Sequence, residues 1–127
     1  MNLINNRMRL AQIKDFSNLT YGEIYPTDID GFIDFGNKLF VFIELKFMTN
    51  PMPTGQRLAL ERLTDGSKVP AVCIVATHAM ISTQDIDVAK CLVTEYRSKG
   101  SWKQTDEDIT VKGFVDSLLK KLLPQYI

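Results

Sequence analysis

Apolar residues along the chain follow helix-like and strand-like spacings, with short polar segments between them. Apolar residues three or four apart mark helices, and runs of β-branched and aromatic residues mark strands. The helix-like segments are 3–15, 54–66 and 110–123, and the strand-like segments are 29–35, 39–47, 69–76 and 88–97. Their order, α-β-β-α-β-(β)-α, predicts an α/β domain with a small mixed β-sheet flanked by helices.

The second strand-like segment is apolar on both of its faces. Side chains alternate across a strand, so residues two apart share a face. One face carries Leu39, Val41, Ile43 and Leu45, and the other carries Phe40 and Phe42. This pattern is typical of a central strand that is covered on both sides. Its last residues nevertheless include Glu44 and Lys46, whose charges are rarely buried without partners.

The length of the hairpin turn decides which residues these charges face. With a two-residue turn, Glu44 would face Ile29, and Asp30 would lie on the opposite side of the sheet. With a three-residue turn, Asp30 would lie opposite Glu44, and Asp28 opposite Lys46. A shift of two residues would instead place Asp28 opposite Glu44. We expect one of the registers that bring an aspartate opposite Glu44.

Carboxylates that face each other across a hairpin repel, so a positive charge is needed between them. Lys46 supplies one positive charge, and a divalent metal ion would supply two more. A few carboxylate oxygens suit Mg²⁺ or Mn²⁺, which keep water ligands that a substrate phosphate can replace. Such an ion polarises a phosphoryl oxygen and lowers the pKa of a bound water. A lysine beside it can orient that water or stabilise the developing charge.

The segment PTDIDGFIDFGNKLFVFIELK resembles the signature of the PD-(D/E)XK nuclease superfamily. In that signature an aspartate begins one strand of a hairpin, and an acid-x-Lys motif ends the next. Asp30 matches the aspartate, and Glu44-Leu45-Lys46 matches the motif. The resemblance covers about residues 20–76 and implies a restriction-endonuclease-like α-β-β-α-β core with Mg²⁺- or Mn²⁺-dependent hydrolysis of DNA phosphodiesters.

The resemblance also implies roles for individual residues. Asp30 and Glu44 would bind the metal together with the main-chain carbonyl of Leu45, and Lys46 would assist the attacking water. Many relatives carry a glutamine on the next helix, and Gln56 fits this position, where it would orient the water or the scissile phosphate.

Several further residues are open candidates. Asp28 competes with Asp30 as the main metal ligand, or adds a ligand to it. An extra acid from the N-terminal part of the chain could be Asp15 or Glu23. His78 ends the run AVCIVATH, which continues the predicted strand 69–76 by two residues, and its side chain is either catalytic or structural.

The segment from Glu95 to Gln104 mixes cations with aromatic residues. Cations suit phosphate and aromatic rings suit base stacking, so Arg97, Lys99, Trp102 and Lys103 are predicted to bind nucleic acid. The alternative is a solvated loop with Trp102 packed beneath it.

Composition adds only broad limits. The 127 residues suit one domain spanning 1–127, and a formal net charge of zero neither indicates nor excludes nucleic acid. Cys73 and Cys91 lie in apolar runs without metal-ligand spacing, so free thiols in the reducing cytoplasm are expected. No apolar run approaches the roughly 18–20 residues that span a bilayer, so no membrane association is expected.

The hypothesis from sequence is a small metal-dependent nuclease that acts on DNA, of a type expected in phages or mobile elements and acting in the host cell. So small a domain has little surface for reading sequence, so specificity is expected from DNA structure, a homodimer or a partner protein. The alternative is a non-cleaving module that binds nucleic acid or protein on the same fold.

Overall fold

A computed structural model describes residues 15–48, 50–79, 85–105 and 107–127. Its strands are β1 (Gly31–Asp34), β2 (Phe40–Phe47), β3 (Ala71–His78), β4 (Leu92–Ser98) and β5 (Ser101–Gln104), and its helices are α1 (Thr54–Asp65) and α2 (Val111–Leu122). The helix predicted over 3–15 lies outside the described residues apart from its last residue. Within the described ranges, no helix is long and apolar enough to cross a membrane.

The strands form one five-stranded sheet in the order β1-β2-β3-β4-β5. Strands β2 and β3 are parallel, and the other neighbours are antiparallel. The parallel pair follows from the connection through α1, because parallel neighbours need a crossover that a tight hairpin cannot provide. The prediction of a small mixed sheet flanked by helices is confirmed. The restriction-endonuclease-like topology remains a prediction.

The hairpin of β1 and β2 adopts a register that the sequence analysis expected. Gly31 pairs with Ile43, which places Asp30 opposite Glu44 along the hairpin. The turn is closed by the Lys38 main-chain N–H, which donates to the Phe35 carbonyl at 3.0 Å.

Left-handed conformations in this turn fall on the two residues that tolerate them best. Gly36 has a φ of 59° and Asn37 a φ of 61°, so Lys38 avoids that region. The turn is fixed further by Asp34, whose Oδ1 accepts from the Asn37 N–H at 2.7 Å. The turn chemistry therefore holds the register that determines which side chains meet farther along the hairpin.

Each face of the sheet packs against one helix, and β2 contributes to both cores. Helix α2 covers a core whose buried members include Leu39, Val41, Ile43, Ile74, Val93 and Leu119. Helix α1 covers the smaller core of Phe42, Leu60 and Cys73. The prediction that β2 is a central, two-sided strand is confirmed. Glu44 and Lys46 share the α1 face with Phe42, as their even numbering requires.

Helix α1 contacts the sheet through a narrower stripe than the leucine pattern predicts. Leu60 and Thr64, one turn apart, are buried, whereas Leu58 and Leu63 are exposed. Threonine is a preferred N-cap residue, so the sequence predicts Thr54 at the N-cap of this helix, and this prediction is wrong. Pro53 occupies the N-cap position, and its carbonyl accepts from the Arg57 N–H at 3.0 Å. Thr54 is instead the first helical residue.

The C-terminal half contains one more strand than predicted. The predicted strand 88–97 begins only at Leu92, because Val88–Lys90 form a 3₁₀ turn. The segment from Glu95 to Gln104, predicted to bind nucleic acid or to form a solvated loop, ends in β5, which pairs with β4 through a turn at Lys99 and Gly100.

We predict that the register-setting turn is sensitive to a single methyl group. The Gly36→Ala substitution should destabilise the fold by about 1–2 kcal/mol, because φ is positive there. Its Cβ would also lie 2.6 Å from the Tyr126 hydroxyl oxygen. The measurement is the free energy of unfolding in urea.

The matched control is Gly55→Ala in α1, where an added Cβ meets no atom within 4 Å. Ala is favoured over Gly in a helix by up to about 1 kcal/mol, so this variant should be neutral or more stable. Equal stability losses in the two variants would contradict the role assigned to the turn.

Candidate active site

Glu44 is the only charged side chain that is buried among the described residues, with 4% of its surface exposed. Its burial follows from its position near the end of β2, between β1 and β3 and beneath the first turns of α1. A carboxylate in such a position needs positive charge or hydrogen-bond donors around it, because removing it from water is costly.

Two side chains partner one oxygen of the Glu44 carboxylate. Gln56 Nε2 donates to Glu44 Oε1 at 2.7 Å, and Lys46 Nζ lies 3.3 Å from the same oxygen. Lys46 Nζ also donates to Gln56 Oε1 at 2.6 Å. Because the amide oxygen faces the ammonium and the amide nitrogen faces the carboxylate, the Gln56 side chain bridges both charged groups. We call these residues the Glu44–Lys46–Gln56 cluster.

Asp30 completes the arrangement from the neighbouring strand. Its Oδ2 accepts from the main-chain N–H of Leu45 at 2.7 Å, which fixes the carboxylate at the end of the hairpin. Its negative charge raises the pKa of Glu44, so the two carboxylates lie close enough to repel. The structure therefore brings together Asp30, Glu44, Lys46 and Gln56, as the sequence analysis expected.

The pKa of Glu44 is raised above its ordinary value. Burial is the largest cause, and the charge of Asp30 is the second. The Lys46 ammonium and the Gln56 amide act in the opposite direction and offset this effect only in part. The site is thus short of positive charge when both carboxylates are ionised.

The second oxygen of Glu44 is the place where an additional positive charge could bind. Oε2 is the only buried side-chain oxygen or nitrogen in the described part of the chain that has no hydrogen-bond partner. An unsatisfied buried polar atom costs about 1–3 kcal/mol, so it calls for an explanation such as an ion or a water. Oxygen donors from carboxylates fit Mg²⁺ or Mn²⁺.

The protein ligands at this site are few. Among the described residues, no group of three or more His, Cys, Asp or Glu side chains is placed to hold a metal ion. An ion held by Asp30 and Glu44 would therefore complete its coordination with main-chain oxygens and water, which Mg²⁺ commonly retains.

Two clefts flank the Glu44–Lys46–Gln56 cluster. The first cleft has a volume of about 510 Å³, and Gln56 lines it together with Asp28 and Glu23. Both acids are exposed, and they line the same cleft as Gln56. The other candidate acid, Asp15, instead accepts a main-chain hydrogen bond from Ser17, which lowers its pKa.

The second cleft has a volume of about 710 Å³ and is lined by Lys46, Thr77, His78 and Arg57. His78 also packs against Phe47, with 5.6 Å between ring centroids. His78 therefore has a packing role, and a catalytic role for it stays a prediction.

Arg57 and Glu95 are site residues that the sequence analysis missed. The Arg57 guanidinium donates to both Glu95 oxygens, at 2.5 and 3.4 Å, and stacks over the Trp102 ring at 4.2 Å. Both residues line the second cleft. The only signal in the sequence was the position of Arg57 directly after Gln56. Glu95 could not be placed, since β4 meets β3 with a bulge between Val75 and Ala76.

The four residues predicted to bind nucleic acid separate into two pairs. Arg97 donates to Asp65 at 3.0 and 2.6 Å, and Trp102 Nε1 donates to Glu61 at 2.7 Å, so both attach the sheet to α1.

Lys99 and Lys103 instead line a groove beside α2, on the other face of the sheet. The packing alternative for Trp102 is the one observed, and the four residues do not form one surface.

We predict that Glu44→Gln stabilises the metal-free protein near pH 7, by about 1 kcal/mol, since it removes an incompletely partnered buried charge. In the unfolded chain the Glu44 carboxyl group releases its proton near the ordinary pKa of 4.5, and in the folded protein it releases this proton at higher pH. Wild-type stability should therefore fall as pH rises from 4.5 through the raised pKa.

The variant should lack this fall, which thermal unfolding between about pH 4 and pH 8 would measure. Asp34→Asn, on the same hairpin but in the turn, is the control and should keep it. A lower melting temperature for Glu44→Gln at every pH would contradict the conclusion that the buried Glu44 carboxylate destabilises the metal-free fold.

Comparison with known proteins does not add an identity to this geometry. No protein-family model, no curated protein and no solved structure matches the chain. The nuclease resemblance accordingly depends on the hairpin motif and on the arrangement of the side chains described above.

Proposed function

We propose that the protein is a metal-dependent nuclease that hydrolyses DNA phosphodiester bonds with Mg²⁺ or Mn²⁺. The observation that carries this proposal is the buried Glu44 carboxylate, whose Oε2 has no partner. Its other oxygen lies 3.3 Å from Lys46 Nζ, and the charge of Asp30 raises the pKa of Glu44. A purely structural salt bridge would be expected to satisfy both carboxylate oxygens, since unsatisfied buried atoms are rare in native proteins.

In this proposal Asp30 and Glu44 bind the metal, with the main-chain carbonyl of Leu45 as the third protein ligand. Asp28 is a further ligand candidate, because it lines the cleft that Gln56 also lines. The bound ion would polarise the phosphoryl oxygen and lower the pKa of a coordinated water.

Lys46 assists the attack of water on phosphorus. Its ammonium has three donors, and Gln56 and Glu44 are the partners that hold it in place. A remaining donor can orient the nucleophilic water or stabilise charge on the phosphoryl oxygens. The water oxygen bonds to phosphorus as the water loses a proton to solvent. The bond from phosphorus to the leaving oxygen breaks, and that oxygen takes up a proton from solvent.

Gln56 acts through its two neighbours in this proposal. Because its amide holds the ammonium on one side and the carboxylate on the other, it fixes their separation without adding charge. It is also the member of the cluster that lines the cleft of Asp28, where a scissile phosphate would have access.

A non-cleaving module that binds nucleic acid or protein is the second candidate. The observation that favours it is the small number of acidic ligands, since no group of three metal-binding side chains converges within the described ranges. The two candidates differ in one measurable property, which is turnover.

We expect the protein to cleave supercoiled, branched, linear or single-stranded DNA in the presence of Mg²⁺ or Mn²⁺, and to lose this activity in EDTA. Glu44→Gln, Asp30→Asn and Lys46→Met should each lower the rate by at least about 100-fold, because each removes a metal ligand or the lysine. Gel electrophoresis of the products measures the rate.

The control variants are Asp34→Asn and Lys38→Met, which change the same residue types in the turn of the same hairpin. The asparagine keeps an Oδ1 that can accept from the Asn37 N–H, so the turn is retained. They should cleave like the wild type. Cleavage that persists in EDTA, or in all three site variants, would refute the proposed mechanism. Metal-independent binding without cleavage would favour the second candidate.

Metal binding should also be visible without any substrate. Ligands that bind only the folded state raise its stability by about 2.7 kcal/mol at a concentration 100 times the dissociation constant. Mn²⁺ should therefore raise the melting temperature of the wild type and leave that of Glu44→Gln unchanged. An equal rise in both proteins, measured by differential scanning fluorimetry, would show that the ion binds elsewhere.

A further inference from the structure

The groove beside α2, which Lys99 and Lys103 line, lies on the face of the sheet opposite to the Glu44–Lys46–Gln56 cluster. Its volume is about 630 Å³, and it runs between β4, β5 and α2. Three lysines line it, Lys99, Lys103 and Lys121, together with the hydroxyl groups of Ser98, Ser101 and Ser117. We call it the lysine groove.

No described acidic residue neutralises the charge of the lysine groove. Within the described ranges, no acidic side chain lines the groove, and none of its lysines forms an ion pair. The opposite face of the sheet differs, because Arg57 and Arg97 there are paired with Glu95, Asp65 and Glu61. Three unpaired cations around one concave surface attract anions in a protein whose formal net charge is zero.

One of these lysines occupies a backbone position that favours other residues. Lys99 has a φ of 53° and is followed by Gly100 with a φ of 82°, in the tight turn between β4 and β5. Asn or Gly would adopt this conformation at lower cost than lysine. Residues in unfavourable backbone conformations cluster at functional sites, so the position of Lys99 adds support for a role of its side chain.

We propose that the lysine groove binds the phosphate backbone of a nucleic acid, at a place separate from the candidate cleavage site. Lysine ammonium groups and serine hydroxyls are the typical protein contacts to backbone phosphates. Such contacts to phosphate add affinity without reading sequence. Tyr96 and Phe114 also line the groove, and the centroids of their rings lie 4.9 Å apart.

The location of the groove specifies how a nucleic acid would use it. Trp102 packs on the α1 face, and the next residue, Lys103, lines the groove on the α2 face, so the edge strand β5 separates the two surfaces. The part of a nucleic acid that binds in the lysine groove is therefore different from the part that reaches Glu44. The choice of nucleic acid among polyanions rests on the proposed function.

The test is the salt dependence of DNA binding by the full chain in EDTA, where cleavage is not expected. Fluorescence anisotropy with a labelled duplex, between about 50 and 200 mM KCl, gives the slope of log affinity against log salt concentration. In the variant with Lys99→Asn, Lys103→Gln and Lys121→Gln, the magnitude of this slope should fall by about two to three, at about 0.9 for each lost phosphate contact.

Matched controls separate the groove from charge in general. Lys120→Gln lies next to Lys121 on α2 but does not line the groove, and Lys68→Gln lies in an exposed loop. Both should retain the wild-type slope. Lys99→Asn alone should weaken binding while keeping or raising the melting temperature, which excludes misfolding as the cause.

Each outcome decides the inference separately from the proposed function. Groove-dependent binding without any cleavage in Mg²⁺ or Mn²⁺ would support the lysine groove and refute the nuclease. Cleavage by a wild type whose affinity and salt slope match those of the triple variant would refute the groove and leave the nuclease. A wild type that binds no DNA, or a groove that binds inorganic phosphate as tightly as DNA, would overturn the inference.

Discussion

The arrangement of this domain depends on the burial of one carboxyl group, that of Glu44, near the end of a central strand. Strand β2 must be apolar on both faces because α1 and α2 cover it from opposite sides, and Glu44 interrupts that pattern. Lys46 and Gln56 offset the cost at one oxygen, and the other oxygen is unsatisfied. A fold selected for stability alone would favour an apolar residue or a fully partnered acid here. Buried carboxyl groups with raised pKa values occur often at functional sites, and the proposed function starts from Glu44 for this reason.

A short turn fixes the geometry of this carboxylate from a distance. Because the side-chain period of a strand is two, a slip of one residue between β1 and β2 would move Asp30 to the other face. Gly36 and Asn37 prevent that slip, since they adopt the two left-handed conformations that close the turn. With this register the Asp30 carboxylate reaches the Leu45 N–H and raises the pKa of Glu44. Local turn chemistry thus controls the electrostatics of a site at the far end of the hairpin.

The sequence was informative wherever alternation or turn chemistry decided the structure. The two-sided apolar pattern of β2 predicted its central place, and the hairpin motif predicted that Asp30, Glu44, Lys46 and Gln56 would meet. The pairing of Arg57 with Glu95 was not predictable, because it depends on a bulge between β3 and β4 that no residue pattern announces. The positions of Trp102 and Lys103 on opposite faces follow from alternation, but only once β5 is known to be a strand. An exposed four-residue strand at an edge carries too few apolar residues to be recognised from its sequence.

The zero net charge of the chain conceals an uneven distribution between the two faces of the sheet. On the α1 face, the acids of α1 and β4 neutralise Arg57 and Arg97, so among the described residues Lys46 supplies the positive charge beside Glu44. On the α2 face, no acid in the described part of the chain lines the lysine groove. A polyanion would therefore be attracted first to the face without the cluster, whereas the carboxylates of Asp30 and Glu44 would repel it until a cation intervenes. Under the proposed function, metal binding is thus a precondition for substrate to approach the site as well as for cleavage.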